Sequence, residues 1–485
     1  MRIYITGLPS GYQVEHLARV FFPGAQLLVE KPDGKDRGDL IRAHCGKKHH
    51  WAALRQNGRV YTRREPRLAD DPRPDYTLAA LLYRLLCSAT GMRPPWGMMT
   101  GVRPVRLIHD AHRAGKTEAE IREHFLTDFD CTPEKFQLAL GIADLQRPII
   151  ENAADRDYSI YIGIPFCPSR CSYCSFVSRT VEKDRSLVQP YVDCLCREVE
   201  KIHEQADKNA MHLKSIYIGG GTPTSLTADQ LRQLMGTVRN CFDLSKVEEY
   251  TVEAGRPDCT DEEKLRVIKE YGATRVSINP QTFSDDVLRR IGRRHTAADI
   301  LECYQIARRV GHTNINMDLI AGLPGDTVQG FERSLRQAIA LAPENITVHT
   351  LTLKRASNLV IDHSPDDYGN VAAMLEKCQL LAQAGYQPYY MYRQKNTLQN
   401  LENIGWCKPG REGLYNIYIM EEIHSILAAG AGASTKMCGE TGKKIQRIFN
   451  YKYPGEYVSG FDTILKRKEG VTEYYASSLD PEASC

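Results

Sequence analysis

The chain has 485 residues, 63 Lys+Arg against 60 Asp+Glu for a net charge of +3, and 42 % hydrophobic residues; that length exceeds one ordinary core, so two or three domains are expected. The balanced charge excludes a basic nucleic-acid footprint spread over the whole surface, and no apolar run is long enough to span a bilayer. Fifteen cysteines, an odd number scattered behind a start (Met1-Arg-Ile-Tyr-Ile-Thr-Gly7) without a signal-peptide pattern, point to reduced thiols in a cytoplasmic protein that meets neither nucleic acid nor membrane.

Residues 1–150 read as a small α+β accessory domain. Strands are expected at Arg2-Ile-Tyr-Ile5 and Leu27-Leu-Val29, helices at Glu15–Phe22 and Tyr76–Ala89, and Pro94-Pro-Trp-Gly97 punctuates the segment before further helical stretches. From about 158 to 353, short β-branched runs alternate with amphipathic stretches, the pattern of βα units around a parallel sheet. Six strands are expected: Ser159–Phe166, Ser215–Gly221, Val247–Gly255, Thr274–Pro280, Thr313–Ile320 and Asn345–Thr352. Before the last of them, Val328, Phe331, Leu335, Ala338 and Ile339 share a helical face behind the cap Gly325-Asp326-Thr327. This core is taken as residues 151–360. Residues 361–485 form a third, substrate-covering α+β part. It opens with a helix near Val371–Ala384 closed by Gly385, continues through Pro388-Tyr-Tyr-Met-Tyr-Arg-Gln-Lys395, and later makes a Gly430-Ala-Gly-Ala-Ser434 turn.

The chemistry-bearing residues fall at or just after the expected C-terminal strand ends, the edge that carries the active site in βα barrels. Cys167, Cys171 and Cys174 lie first, spaced Cys-x3-Cys-x2-Cys within Tyr161-Ile-Gly-Ile-Pro-Phe-Cys-Pro-Ser-Arg-Cys-Ser-Tyr-Cys-Ser-Phe176. Three thiolates in one loop can hold three corners of a cubane and leave the fourth iron open. Zinc closes a structural site with four ligands, and no second cysteine pair or nearby His supplies the fourth. The other twelve cysteines, including Cys194 and Cys196 on an expected helix, read as reduced core or surface residues. Gly219-Gly-Gly-Thr-Pro-Thr224, with Gly220, Gly221 and Thr222 at its centre, lets backbone approach a ligand closely. Glu253, Gln281, Asp318 and Thr352 complete the edge. Carboxylates such as Glu253 and Asp318 can accept bonds from hydroxyl or ammonium groups, and Arg293 can pair with a carboxylate.

The cysteine loop and its flanks resemble the radical S-adenosylmethionine (SAM) superfamily. The resemblance implies a partial (β/α)6 barrel, a 4Fe–4S cluster on Cys167, Cys171 and Cys174, and SAM chelated to the open iron. One electron would then cleave SAM to methionine and a 5'-deoxyadenosyl radical. Gly220, Gly221 and Thr222 match the family's methionine-binding motif, and Glu253, Gln281, Arg293 and Asp318 match positions that contact SAM. Tyr161 matches a tyrosine beside the sulfonium, and Tyr173 and Thr352 match positions near the adenine. Ile164-Pro-Phe-Cys167, Gly-Gly-Gly-Thr-Pro-Thr, Gln281 and Asp-Leu-Ile-x-Gly-Leu-Pro are similar to the oxygen-independent coproporphyrinogen III oxidase family. Glu253-Ala-Gly-Arg-Pro-Asp258 and Tyr389-Tyr-Met-Tyr-Arg-Gln-Lys-Asn396 resemble its HemZ-type branch along essentially the whole chain.

In that family the reaction is oxidative decarboxylation of two propionates of coproporphyrinogen III to vinyls. The expected partners are the tetrapyrrole, with Arg393 and Lys395 as candidates for its carboxylates, and a low-potential electron donor such as flavodoxin or ferredoxin; a monomer is expected. The family's best understood oxidases carry a fourth Cys where this chain has Phe176, a residue also found in related haem-trafficking proteins. A haem chaperone that keeps cluster and SAM is therefore the alternative function, with radical-mediated alkylation or haem breakdown behind it.

Overall fold

The structure, a computed structural model, describes residues 1–22, 25–28, 38–100, 103–176, 178–352, 357, 370–394, 397–438 and 445–477. The chain forms two compact units, one from Met1–Ala143 with Arg393–Leu401, the other from Asp144–Tyr392 with Glu402–Cys485.

In the first unit, β1 (Arg2–Thr6), β2 (Gln26–Leu28), β3 (Leu40–Cys45), β4 (His49–Gln56) and β5 (Arg59–Pro66) form a sheet in the order β2-β1-β3-β4-β5. Helices Tyr12–Phe21 and Pro74–Thr90 cover it, burying Val14, Leu17, Leu78, Leu82 and Leu85 against Ile3, Ile41 and Leu54. Local sequence pattern predicts only the first two of these strands. Val29 and Lys395 lie outside the described residues.

The second unit is built on an eleven-stranded sheet. Its parallel run is β6 (Asp157–Ile164), β9 (His212–Gly220), β10 (Glu249–Glu253), β11 (Arg275–Ser277), β12 (Ile315–Ala321) and β13 (Asn345–Thr350), adjacent in that order. Between β6 and β9 the chain makes a two-residue strand pair, β7 (Phe166–Cys167) with β8 (Arg179–Thr180). Helices follow the strands as expected of a partial (β/α)6 barrel: Arg185–Lys208, Ala228–Cys241, Glu262–Glu270, Ala297–Val310 and Val328–Leu341. The last starts at Thr327, whose side chain caps Gly330 N.

Later strands extend both edges. Beyond β13 the antiparallel strands β15 (Asn403–Cys407) and β14 (Gln387–Tyr392) follow, while β16 (Ser425–Ala429) runs parallel to β6 and leads to β17 (Ser434–Met437) and β18 (Gln446–Phe449). The single helix expected over Val371–Ala384 is two short ones, Val371–Glu376 and Gln379–Gln383. At their junction Lys377 N and Cys378 N reach only three residues back, to Met374 O and Leu375 O at 3.1 and 3.0 Å, a tightening that ends an α-helical ladder.

Strand alternation decides what faces the barrel interior. In β13, Asn345, Thr347 and His349 alternate with Ile346 and Val348; in β12, Asn316 and Asp318 alternate with Met317 and Leu319. The apolar set packs outward under the helices, and the polar set pairs inward across the strands. Ser159 Oγ meets Ser215 Oγ at 2.6 Å, Asn316 Nδ2 donates to Ser277 Oγ at 2.7 Å, and Thr347 Oγ1 donates to Asn316 Oδ1 at 3.0 Å. One layer closer to the C-terminal strand ends, Tyr161, Tyr217 and Tyr415 stack, the last two at 4.5 Å between centroids. Tyr415 comes from the helix Leu414–Glu421, whose first amides donate to buried Glu249 from Leu414 N at 2.7 Å and Tyr415 N at 3.4 Å. These side chains fill the barrel below its mouth. Among the described residues no helix is long and apolar enough to cross a membrane.

Candidate active site

The cysteine loop leaves the end of β6, is held from outside by Val181 N to Cys167 O at 3.1 Å and Ser172 N to Ile291 O at 3.0 Å, and turns on itself through Cys174 N to Cys171 O at 3.2 Å. Cys167 and Cys171 are buried and Cys174 is half-buried. Thr222 Oγ1 donates to Cys167 Sγ at 3.5 Å and Arg256 Nη1 to Cys171 Sγ at 3.4 Å. Burial pushes the Cys174 thiol up to about 11 and raises that of Cys167, so these thiols ionise only with a metal or cation to compensate. Among the described residues no three His, Cys, Asp or Glu side chains gather as they would around a single ion. A cubane takes each thiolate at a separate corner iron.

The glycine loop closes against this one. Gly221 N donates to Ile164 O at 2.7 Å and Thr222 N to Phe166 O at 2.8 Å. Gly220 has φ +110, and a Cβ on Gly221 would lie 2.7 Å from Phe166 O and 3.0 Å from Cys167 Sγ, so neither position accepts a side chain. Behind the loop Glu253 accepts from Tyr217 Oη at 2.7 Å and from Gly220 N at 3.2 Å. Burial raises its carboxyl to about 7; Asp318 adds to this, while the two hydrogen bonds act against it. Tyr161, stacked on Tyr217, lies with its hydroxyl beside Gly220.

Gln281 carries the main strain of the site. Its φ is +67, left-handed for a residue with a side chain. It is held there by Gln281 N to Asp318 O at 2.8 Å and Ile320 N to Gln281 O at 2.9 Å. Among the described residues its buried Oε1 has no hydrogen-bond partner. Arg293, also buried, donates Nη1 to Gly255 O and Asn279 O at 3.1 and 2.8 Å and Nη2 to Tyr173 Oη at 3.2 Å, and among the described residues its Nε has no hydrogen-bond partner. Asp318 accepts from Asn316 Nδ2 at 2.8 Å and lies 3.6 Å from His349 Nε2. Burial opposes its ionisation, yet His349 and Asn316 hold its carboxyl below the usual range. Thr352 Oγ1 contacts Thr350 O at 3.4 Å at the end of this strand.

Three residues of the site are given no role by the sequence pattern. His349 joins Asp318 to Tyr392 Oη, 3.0 Å from its Nδ1; its place in the polar alternation of Asn345, Thr347 and His349 is the available signal. Arg256 and Asp258, side by side behind Cys171, sit in a Gly-Arg-Pro-Asp run whose burial no local pattern announces. Arg393 belongs by its contacts to the first unit, where it donates to Met99 O and Asn400 O, each at 3.1 Å, and lies over the Trp96 ring.

The sequence model of the radical SAM superfamily matches residues 161–338. The oxygen-independent coproporphyrinogen-III oxidase-like protein HemZ of Bacillus subtilis is 40 % identical over 402 residues, 81 % of this chain and 80 % of that protein. Heme chaperone HemW of the same organism is 40 % identical over 197 residues, 40 % of this chain and 51 % of that protein. Among solved structures, coproporphyrinogen III oxidase HemN of Escherichia coli aligns at a TM-score of 0.51 with 24 % identity, over 67 % of this chain and 73 % of that one, a likeness of fold. Radical SAM proteins use a 4Fe–4S cluster and SAM. Three loop thiols, the side-chain-free cradle at Gly220 and Gly221, and Arg293 Nε and Gln281 Oε1, which have no hydrogen-bond partner among the described residues, fit both groups. Identity at this level along most of both chains makes the protein a radical SAM protein of the HemZ-type branch of the oxygen-independent coproporphyrinogen III oxidase family.

Proposed function

We propose that the protein oxidatively decarboxylates two propionate side chains of coproporphyrinogen III to vinyls, giving protoporphyrinogen IX. The observation that carries this reading is the gathering of Cys167, Cys171, Thr222, Glu253, Gln281, Arg293 and Asp318 at one sheet edge, in a chain that matches the oxidase-like HemZ along 81 % of its length. When bound, the cluster and SAM would supply a low-potential electron and, from it, a 5'-deoxyadenosyl radical able to remove a propionate β-hydrogen; the vinyl then requires that CO2 leave and that the remaining electron pass to a one-electron acceptor. Cys167, Cys171 and Cys174 hold the cluster. Arg293 Nε receives the methionyl carboxylate, and Gly220 and Gly221 give the methionyl chain room. Glu253 and Asp318 accept from the ribose hydroxyls or the ammonium, and Tyr161 and Tyr173 flank the sulfonium and adenine. The stacked Tyr161, Tyr217 and Tyr415 keep water out from below. Residues 361–485 cover the substrate, and Arg393 and Lys395 are candidates for its carboxylates. Because Arg393 already serves two main-chain carbonyls, its share is read by comparing turnover with uncoupled SAM cleavage in Arg393→Ala.

A haem chaperone is the second reading, favoured by the HemW match and by Phe176, which is 62 % exposed beside the third cysteine. Reduced protein, SAM and coproporphyrinogen III under anaerobic conditions distinguish the two. The oxidase reading expects a monovinyl intermediate followed by protoporphyrinogen. SAM cleavage without vinyl product, together with tight haem binding and transfer to an apo-haemoprotein, would overturn it in favour of the chaperone.

A further inference from the structure

A buried guanidinium stands directly against the middle cysteine. Arg256 is 4 % exposed. Its Nη1 reaches Cys171 Sγ at 3.4 Å and Ser169 O at 3.3 Å, and its Nη2 reaches Ser169 Oγ at 2.8 Å. Asp258 grips the same guanidinium through both oxygens, at 2.9 Å from Nε and 2.7 Å from Nη2. Behind Asp258 lies His295 Nδ1 at 3.5 Å, its side chain 1 % exposed. Arg293 also faces Cys171.

Pinning the loop would require only the two Ser169 contacts. A neutral thiol is a poor partner for a buried cation, whereas a metal-bound thiolate is a strong acceptor for one. Hydrogen bonds to cluster sulfurs and the net charge around them set a cluster's reduction potential. An electron entering the cluster adds negative charge, so a cation at Cys171 favours the reduced state and an anion behind that cation opposes it.

We infer that the Arg256–Asp258 pair tunes the reduction potential of the cluster, Arg256 raising it through its N–H···S bond to Cys171 and Asp258 moderating that effect. This rests on the placement of the cluster on Cys167, Cys171 and Cys174. The two residues then act with opposite signs, which loop pinning alone would not produce.

The test is a potentiometric titration of the reconstituted, SAM-free protein, read by electron paramagnetic resonance, for wild type, R256Q, R256K and D258N. R256Q is expected to lower the reduced-to-oxidised ratio at fixed solution potential about tenfold, about 59 mV for one electron. D258N is expected to shift the midpoint the other way, with R256K nearest to wild type. Midpoints that do not move, or that move in the same direction in R256Q and D258N, overturn the inference. Should R256Q load no iron, D258N decides alone: a more positive midpoint supports the pair's role, and an unchanged or more negative one ends it. Iron content of C171A separates the two levels. A full cluster in C171A refutes the placement itself, whereas a lost cluster with unmoved R256Q and D258N midpoints refutes only the tuning.

Discussion

Glu253→Gln gives the sharpest reading of the proposed SAM pocket, because burial lifts the Glu253 carboxyl from 4.5 to about 7, inside the working range of an assay. With its folded-state value above its unfolded one, this group stabilises the protein fully below pH 4.5, and that contribution is lost as pH rises through about 7. The full displacement corresponds to about 3 kcal/mol, and the residual solvent contact of Glu253 reduces it to about 1–2 kcal/mol. SAM-free E253Q should therefore melt with wild type near pH 4.5 and above it at pH 8. SAM affinity should run the opposite way, since only the ionised carboxylate accepts from ribose or ammonium at full strength. Near pH 6 about a tenth of such a group is ionised, against nearly all of it at pH 8, so wild-type affinity should rise about tenfold across that interval. E253Q should lack that step and bind about 10- to 150-fold more weakly at pH 8, the cost of a charge-assisted hydrogen bond. Calorimetric titration of SAM into protein with an oxidised cluster avoids turnover, and titration of SAM itself cancels between the two proteins. Identical pH profiles for wild type and E253Q, or a wild type more stable than E253Q at pH 8, would refute the reasoning.

Asp318→Ala should retain iron and weaken SAM binding by about 10- to 150-fold, with His349→Gln, which spares the carboxylate, losing less; equal losses in equilibrium binding would deny His349 its supporting place. Gln281→Gly relieves the left-handed backbone at φ +67 and should hold or raise thermal stability, by about 1 kcal/mol, while SAM affinity falls; a lower melting temperature would show that the side chain is needed for folding. Lys468→Met leaves buried Glu198, 2.8 Å from Lys468 Nζ, without its cation and should cost about 3 kcal/mol in denaturant unfolding. A loss below about 1 kcal/mol would show that Asn450, Tyr457 and Gly430 N satisfy Glu198 by themselves.

The parallel core was legible because its strands carry a double signal. Branched apolar residues turn outward under amphipathic helices, and polar ones such as Asn316, Asp318, Thr347 and Glu253 turn inward, so each strand end delivered a candidate. The first unit was less legible. Arg59–Pro66 carries Arg59, Arg63, Arg64 and Glu65 and lacks an apolar alternation, although Asn57-Gly58, both with positive φ, is a two-residue hairpin signal. The pairing of β16 with β6 joins residues more than 250 apart, and no local pattern encodes it. Arg256 and His349 acquire their meaning only from what the fold places beside them, Cys171 for one and Asp318 with Tyr392 for the other.

The central claim is that Cys167, Cys171 and Cys174 hold a 4Fe–4S cluster with one iron open to SAM. Electron paramagnetic resonance of the dithionite-reduced protein, before and after SAM, tests it most directly. Wild type should give a one-electron cluster signal that SAM perturbs and that disappears, with the iron, when all three cysteines are replaced by Ala. A SAM-responsive signal of undiminished intensity in the triple variant would contradict it.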